Sequence, residues 1–331
     1  MARFAMKVIR KPTWGVLSYD TLRPAFTCIE RQPRASEPYA DQPVVLNIVV
    51  TRRCNMDCDY CVAKDFAGVE QEDLVLSQEM IRWLNSSPFM VLVLTGGEPL
   101  LPPYDAVSLQ LIALVKNRGV ILDTNGTLMP NRNALSQLRE RRVMIRVSMD
   151  SVNPDWEIKR RQIVRGNKAK NLSAYLVKVA NIERFISSGI CTAVQTVVWQ
   201  KNSRGLYQMI DWLAERGIKR WYLQRLIPSN RFKNPGPKIA LTPEEYYPLV
   251  ADIAAKARSL GIECVAKMDL RHNSVFLLTA DGTLYTQGPS PGQKVRLGTI
   301  RERIAYFDYV SAADHACRYY LADPPGKRAA K

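Results

Sequence analysis

Histidine is nearly missing from this 331-residue chain, which has only His272 and His315. Two histidines are too few for a histidine-based metal centre or a nucleophilic triad. Long apolar runs are missing too, and the first residues show no charged and apolar leader with small residues behind it. We therefore expect a cytoplasmic protein that does not cross a membrane.

Paired cysteines are also lacking. The seven cysteines are an odd number, and four of them are scattered without pair spacing: Cys28, Cys191, Cys264 and Cys317. This usage favours reduced thiols in the cytoplasm over a disulfide framework.

Acidic residues are few beside basic ones, 31 against 47, which gives a formal net charge of +16. A field of this sign attracts nucleic acid, nucleotides, phosphorylated small molecules or acidic peptides. Charge alone identifies no site, and a solubilising role explains it equally well.

The other three cysteines, Cys54, Cys58 and Cys61, lie within eight residues at C-x3-C-x2-C spacing, directly after the apolar run Val44–Val50. A cubane iron–sulfur cluster with every iron bound to protein needs four thiolates, and a structural zinc ion also takes four ligands. A fourth ligand is missing locally. Three thiolates suit a cluster with one iron left open for a ligand that is not protein. A zinc knot in a nucleic-acid-binding protein is the alternative; the basic charge supports it and the missing ligand opposes it.

From Val44 onward the pattern alternates strand and helix. The strands are mostly continuous apolar runs, as in parallel sheets covered on both faces: Val44–Thr51, Phe89–Thr95, Val120–Thr124, Val143–Met149, Thr192–Trp199 and Arg220–Leu226. The helices are expected near Ser77–Asn85, Tyr104–Asn117, Arg132–Arg141, Leu172–Ser188, Ser203–Arg216 and Thr242–Leu260. Six such units predict an α/β fold, an open (β/α)6 barrel that lacks the last two units of a TIM barrel. Cys54, Gly96 and Asn125 each follow a strand, at the end where such barrels carry active sites.

We expect three parts in the chain. Residues 1–43 read as a small hairpin or β-meander, with strands Phe4–Ile9 and Val16–Tyr19 and a third apolar stretch at Ala25–Ile29, followed by a proline-bearing linker. Residues 44–261 form the barrel. Residues 262–331 hold a hairpin with an Asp281-Gly282 turn, a strand at Val295–Leu297, a helix around Arg301–Val310 and a basic tail. This C-terminal extension is expected to close the barrel mouth.

The three cysteines together with Thr95-Gly96-Gly97-Glu98-Pro99-Leu100 resemble the radical S-adenosylmethionine (radical SAM) superfamily. Weaker agreement comes from three further stretches: Asp123–Gly126, Ser148–Asp150 and Val197–Asn202. The resemblance covers 44–229. It implies a 4Fe–4S cluster on Cys54, Cys58 and Cys61, whose open iron takes the amino and carboxylate groups of S-adenosylmethionine. One-electron reduction then cleaves the cofactor, and a 5'-deoxyadenosyl radical abstracts a hydrogen atom from substrate.

The resemblance also implies cofactor-binding residues: Tyr60 by the adenine, Gly96, Gly97 and Glu98 at the methionine end, Ser148 and Asp150 as candidate ribose contacts, Arg165 near the cofactor carboxylate, and Asn125. Some of them have plainer explanations. Asn125 before Gly126 is a common turn residue, and Ser148 is also suited to capping the next element. Arg165 belongs to the run Lys159–Lys170, which also reads as a solvated or anion-attracting loop.

The stretch Leu277–Tyr285 resembles the hairpin of the cysteine-rich SPASM or twitch extensions of many relatives, but Thr286 and Gln287 follow where a cysteine is expected. We expect no auxiliary cluster. Such cluster-free ends resemble those of viperin-like nucleotide enzymes and of sugar or peptide epimerases. Cys317 is therefore a candidate hydrogen-atom donor to the product radical, with a buried structural thiol as the alternative.

These expectations describe a radical SAM enzyme that receives electrons from a flavodoxin or ferredoxin. The stretch Trp14–Asp20 resembles the leading hairpin of peptide-modifying maturases, which favours peptide modification of a maturase or epimerase kind. The basic charge and the cluster-free end favour a nucleotide or anionic sugar, as in viperin-like enzymes. Nucleic acid is a possible partner that this chemistry does not require.

Overall fold

The computed structural model describes 7–10, 15–21, 25–30, 39–40, 43–61, 73–226, 240–267, 276–287, 294–302, 304 and 319–320. The strands and helices of the fold are counted within these residues.

A three-stranded antiparallel sheet precedes the barrel. Its strands are β1 (Lys7–Arg10), β2 (Gly15–Asp20) and β3 (Ala25–Glu30), in that order across the sheet. Of the two predicted arrangements, the β-meander is the one present, and the apolar stretch Ala25–Ile29 lies in its third strand. Tyr19 on β2 is buried, and its ring occupies the space that a Cβ atom on Gly119 would take. Gly119 begins a barrel strand, so the small sheet packs against the amino end of the barrel.

The stretch predicted as a linker contains a short strand, β4 (Tyr39–Ala40), which pairs with Tyr319–Tyr320 near the end of the chain. Polar and proline-rich composition concealed this strand, because two residues are too few to show a period.

Seven parallel strands form the barrel wall: β5 (Val45–Thr51), β6 (Val91–Gly96), β7 (Gly119–Thr124), β8 (Met144–Ser148), β9 (Cys191–Val198), β10 (Arg220–Arg225) and β11 (Glu263–Lys267). Each pairs in parallel with the next. The first six confirm the predicted strands. The seventh was not predicted, since its residues Glu-Cys-Val-Ala-Lys carry little apolar signal.

Seven helices connect and cover these strands: α1 (Gln78–Ser86), α2 (Tyr104–Leu114), α3 (Arg132–Glu140), α4 (Pro154–Arg160), α5 (Lys168–Ser187), α6 (Leu206–Glu215) and α7 (Pro243–Ser259). Helix α7 begins at a capping box, in which Thr242 accepts from the Glu245 backbone and Glu245 reaches back. The loop expected over Lys159–Lys170 is present but shorter, because α4 extends to Arg160 and α5 begins at Lys168. Asn153 caps α4 and Pro154 occupies its first turn.

The C-terminal hairpin joins the barrel sheet. Strand β12 (Phe276–Leu278) pairs in parallel with β5, β13 (Thr283–Gln287) and β14 (Lys294–Thr299) continue antiparallel, and β15 is Tyr319–Tyr320. The predicted Asp-Gly turn is present, with Gly282 at φ 80°. Because β12 pairs with the outer edge of β5, the backbone groups of that edge are not left open. The sheet thus continues past the boundary expected at residue 262. The predicted helix Arg301–Val310 lies largely outside the described residues.

The order of the ten-stranded sheet is β11-β10-β9-β8-β7-β6-β5-β12-β13-β14. Buried aliphatic and aromatic side chains between this sheet and the helices form one large core. The predicted α/β fold with a partial TIM barrel is confirmed. Among the described helices, none is long and apolar enough to cross a membrane.

Candidate active site at the barrel mouth

The loop after β5 carries the three clustered cysteines to the carboxyl end of the sheet. Cys58 is buried, whereas Cys54 and Cys61 are half-buried. The Cys54 Sγ atom accepts a hydrogen bond from the Met56 backbone N–H at 3.3 Å, and the Asn125 Nδ2 atom lies 3.8 Å from it. Donors that surround a sulfur atom in this way stabilise its thiolate form.

Burial acts in the opposite direction on these thiols. It raises the pKa of Cys54, and it raises the pKa of Cys58 to about 12, although the positive charge of Arg161 works against the shift at Cys58. Without a metal, burial therefore favours the protonated form of the Cys54 and Cys58 thiols. A bound metal centre deprotonates coordinating thiols outright.

Gly96, the last residue of β6, and Gly97, which follows it, pack against the cysteine loop. The Gly97 N–H donates to the Thr51 carbonyl at 2.6 Å, and the Glu98 N–H donates to the Arg53 carbonyl at 2.8 Å. A Cβ atom on either glycine would overlap those carbonyl groups, of Thr51 for Gly96 and of Arg53 for Gly97. The two glycines let the first and second strand ends approach closely, and this contact forms one wall of the site.

The Glu98 side chain links the carboxyl end of β6 to the carboxyl end of β7 through hydrogen bonds. Its buried carboxylate accepts from the Leu100 N–H at 3.0 Å, the Thr124 hydroxyl at 2.9 Å and the Asn125 N–H at 2.7 Å. Asn125 continues the connection, because its Nδ2 atom donates to Asn55 in the cysteine loop at 2.7 Å. Glu98 was predicted as a cofactor residue. The structure commits its carboxylate to the protein, so the Glu98 side chain holds the turn in place and does not itself reach toward a ligand.

Tyr60 and Asp150 meet beneath the cysteine loop. The Tyr60 hydroxyl donates to the Asp150 carboxylate, which also accepts from Arg161 at 3.0 Å and 3.3 Å and from the Val197 N–H at 2.8 Å. The Arg161 guanidinium lies 5.4 Å from the centre of the Tyr60 ring. Asp150, predicted as a ribose contact, thus fixes the residue that precedes Cys61.

A buried ion pair between α4 and α5 stabilises the position of Asp150. Lys178 on α5 donates to Glu157 on α4 at 2.7 Å, and the same Glu157 accepts from the backbone of Asp150 and of Ser151 at 3.1 Å. Sequence reasoning missed Glu157, Arg161 and Lys178. The i,i+4 spacing of Glu157 and Arg161, which the structure pairs at 3.5 Å, was the available signal.

The remaining predicted residues have varied positions. Ser148, the last residue of β8, is half-buried on the face of the sheet that also carries Gln195 of β9. Arg165 is exposed and its guanidinium binds the carboxylate of Asp57 in the cysteine loop. Cys317 lies outside the described residues.

The donor set fits a cubane cluster with an open iron better than a single ion. Three thiols share one loop and the glycine wall faces them. Within the described part of the chain, no group of three histidine, cysteine or acidic side chains is gathered as a single metal ion requires. In a cubane each thiolate binds a different iron, so the thiols need not converge on one point.

Comparisons with known proteins agree with this site. Residues 48–192 match the model of the Radical SAM superfamily. A GTP 3',8-cyclase of Rhizobium meliloti (strain 1021) is 27% identical over 196 residues, which cover 55% of this chain and 52% of the cyclase. A pre-heme d1 synthase of Dinoroseobacter shibae is 24% identical over 201 residues, 60% of this chain and 47% of the synthase. The chain spans about half the length of the curated relatives it matches.

Solved structures match more of the chain. Native anSMEcpe with bound AdoMet (S-adenosylmethionine) superposes with a TM-score of 0.61 at 17% identity, over 80% of this chain and 81% of that one. SuiB of Streptococcus suis bound to S-adenosylmethionine gives 0.61 at 10% identity, over 90% and 85%. These likenesses establish the shared fold, and the family implies a 4Fe–4S cluster and S-adenosylmethionine as cofactors. Residues 48–192, which contain the three cysteines and the glycine wall, thus match the radical SAM superfamily of enzymes.

Proposed function

We propose that Cys54, Cys58 and Cys61 bind a 4Fe–4S cluster with one open iron, and that the chain cleaves S-adenosylmethionine reductively to abstract a hydrogen atom from its substrate. The observation that carries this function is the contact between the cysteine loop and the Gly96–Gly97 turn at the barrel mouth. When bound, the cluster supplies one electron that breaks the sulfonium C–S bond, which yields methionine and a 5'-deoxyadenosyl group able to take a hydrogen atom.

The protein's own residues hold and orient these groups. The backbone of 96–98 faces the methionine end of the cofactor, with Glu98 keeping that turn against Asn125. Tyr60, held by Asp150, borders the adenine. Ser148 and Arg165 are proposed at the ribose and near the cofactor carboxylate, and Arg165 has to leave Asp57 to act there.

A cofactor-cleavage assay tests this function. Reconstituted protein with dithionite and S-adenosylmethionine is expected to release 5'-deoxyadenosine and methionine. Cys58→Ala should abolish this release, whereas Cys191→Ala, which removes a thiol of β9 outside the loop, should retain it. Equal release by the wild type and Cys58→Ala, or none by the wild type, would refute the function.

A peptide is the first proposed substrate. The solved structures that match include anSMEcpe with the Cp18Cys peptide and SuiB with its precursor peptide SuiA, and their folds extend over 80% and 84% of this chain. The resemblance of Trp14–Asp20 to a maturase hairpin points the same way. Cys317 remains a proposed hydrogen-atom donor in an epimerisation.

A nucleotide is the second candidate, because several curated relatives are GTP 3',8-cyclases and the chain carries +16 net charge. Mass spectrometry distinguishes the two. We expect a peptide encoded beside this gene to change mass, or to exchange hydrogen with solvent deuterium, in step with 5'-deoxyadenosine release. Turnover of GTP with no peptide modified would favour the nucleotide.

A further inference from the structure

The segment 159–170 carries six cationic residues and no acidic one: Lys159, Arg160, Arg161, Arg165, Lys168 and Lys170. We call this stretch the basic segment. It begins in the last turn of α4, crosses the connection to α5 and ends in the first turn of α5. Arg161 points inward and is buried in the Asp150 network, so the remaining five cations belong to the outer side.

The basic segment is bonded directly to the cysteine loop. The Asp57 N–H donates to the Gln162 carbonyl at 2.6 Å, and the Asp59 N–H donates to the Arg160 carbonyl at 3.1 Å. The side chains repeat this pairing, since Arg160 binds the Asp59 carboxylate at 3.1 Å and Arg165 binds that of Asp57. A partner that lies on the basic segment is therefore next to the loop that holds the three thiols.

The outer side of this segment combines positive charge with exposed apolar groups. Lys159 and Lys170 are exposed, and the side chain of Lys168 is 75% exposed although it pairs with Asp155 at 3.0 Å. Val164 is 39% exposed beside them, and Val177 is 42% exposed on the face of α5 that also carries Lys170. Protein-docking surfaces combine apolar contact with complementary charge, and this surface offers both.

Packed aromatic rings connect this surface with the cysteine loop. The centroid of the half-buried Trp156 ring on α4 lies 5.7 Å from that of Trp199, which lies 5.7 Å from that of Tyr60. Arg160 of the basic segment covers Trp199 at 5.2 Å. Because Tyr60 precedes Cys61, this cluster of rings joins the half-buried Trp156 to the residue beside one of the three thiols.

We infer that the basic segment is the docking surface of an acidic one-electron donor protein, an inference that presupposes the reductive chemistry proposed above. Docking brings the reduced donor beside the cysteine loop, where it loses one electron and the cluster gains one. No proton moves and no bond changes in that step. The lysines attract the acidic donor from a distance, and apolar contacts with Val164 and Val177 then stabilise the complex.

Charge reversal tests this surface. The test variant is Lys159→Glu/Lys168→Glu/Lys170→Glu, on the basic segment. The control variant is Lys116→Glu/Arg139→Glu/Lys219→Glu. It changes the net charge by the same amount at exposed positions at or beside the amino ends of the strands. Cluster reduction is followed by stopped-flow absorbance with a reduced acidic flavodoxin as the probe. We expect the first variant to be reduced about tenfold or more slowly at low salt, with the salt dependence of the wild type lost. The control should match the wild type, and both should react normally with dithionite.

Equal flavodoxin rates for the two variants would overturn the docking surface. So would a loss confined to the binding of an acidic peptide, which would assign the basic segment to substrate. If the glutamate variant fails to take up iron, the corresponding Lys→Gln variant replaces it in the same comparison. A wild type that dithionite cannot reduce would instead refute the proposed function, and with it the reason for a donor.

Discussion

Gly97 lies where the second strand end touches the cysteine loop, and its missing Cβ atom makes that contact possible. An added methyl group would overlap the Arg53 carbonyl, which belongs to the backbone and cannot rotate away. We expect Gly97→Ala to lower the free energy of unfolding by about 1–3 kcal/mol and to reduce the iron bound after reconstitution. Urea unfolding and iron analysis measure the two effects.

Gly205→Ala is the matched control for this substitution. Gly205 has φ −77°, and no atom lies near the position of its Cβ. Its replacement is expected to be neutral or to stabilise by up to about 1 kcal/mol. Unchanged stability and iron content in Gly97→Ala would contradict the role given to the glycine wall.

Glu98 predicts a pH dependence of stability. Burial raises its pKa from 4.5 to about 7 in the folded protein, against the hydrogen bonds that Asn125 and Leu100 donate. The folded state then holds a proton that the unfolded state releases between these two values. The contribution of Glu98 to stability is therefore full below about pH 4.5 and is lost as the pH rises through about 7.

Urea unfolding at several pH values between about 5 and 8 measures this slope. Glu98→Gln cannot titrate and should remove that part of the pH dependence, at a cost of about 1–3 kcal/mol because its amide nitrogen cannot accept an N–H bond. An identical slope in the wild type and the variant would show that Glu98 is ionised throughout.

At the scale of elements, α4 and α5 hold the cysteine loop through buried charges. Lys178→Met leaves Glu157 with Arg161 as its remaining cation, so we expect a loss near the lower end of about 3–5 kcal/mol. Lys256→Met removes a partner of Asp252 from an exposed i,i+4 pair and should cost at most about 0.5 kcal/mol. Thermal unfolding compares them, and equal effects would contradict a supporting role for the buried pair.

The elements also show what the sequence could predict. Six barrel strands follow from continuous apolar runs, and the cysteine and glycine motifs follow from their spacing at strand ends. Helix α4 was missed because Trp156 and Ile158 are its apolar residues among seven, too few for a helical period, and cations follow it directly. Strand β11 was missed because its own residues show little apolar pattern. Its pairing with β10 stabilises it as a strand.

The hydrogen-bond partners of the side chains were harder to predict than the positions of the motifs. Glu98 and Asp150 belong to motifs correctly located at the barrel mouth, yet their carboxylates bind other protein groups. Such partners are far apart in sequence, as with Tyr60 and Asp150, and no local pattern records them.

At the scale of the whole molecule, the C-terminal hairpin and the small N-terminal sheet both pack against the barrel. The C-terminal hairpin completes the edge of β5, the strand that leads into the cysteine loop, and the small N-terminal sheet packs at the opposite end of the barrel through Tyr19. The barrel mouth is where we propose that cofactor and substrate meet. The basic segment lies beside that mouth, on the outer side of the cysteine loop.

The claim on which all of this depends is a cluster with one open iron on Cys54, Cys58 and Cys61. Anaerobic reconstitution followed by electron paramagnetic resonance of the reduced protein tests it most directly. We predict about four irons per chain, a spectrum that changes when S-adenosylmethionine is added, and neither feature in the variant with all three cysteines replaced by alanine. Stoichiometric zinc in place of iron, or a cluster spectrum that S-adenosylmethionine leaves unchanged, would contradict the claim.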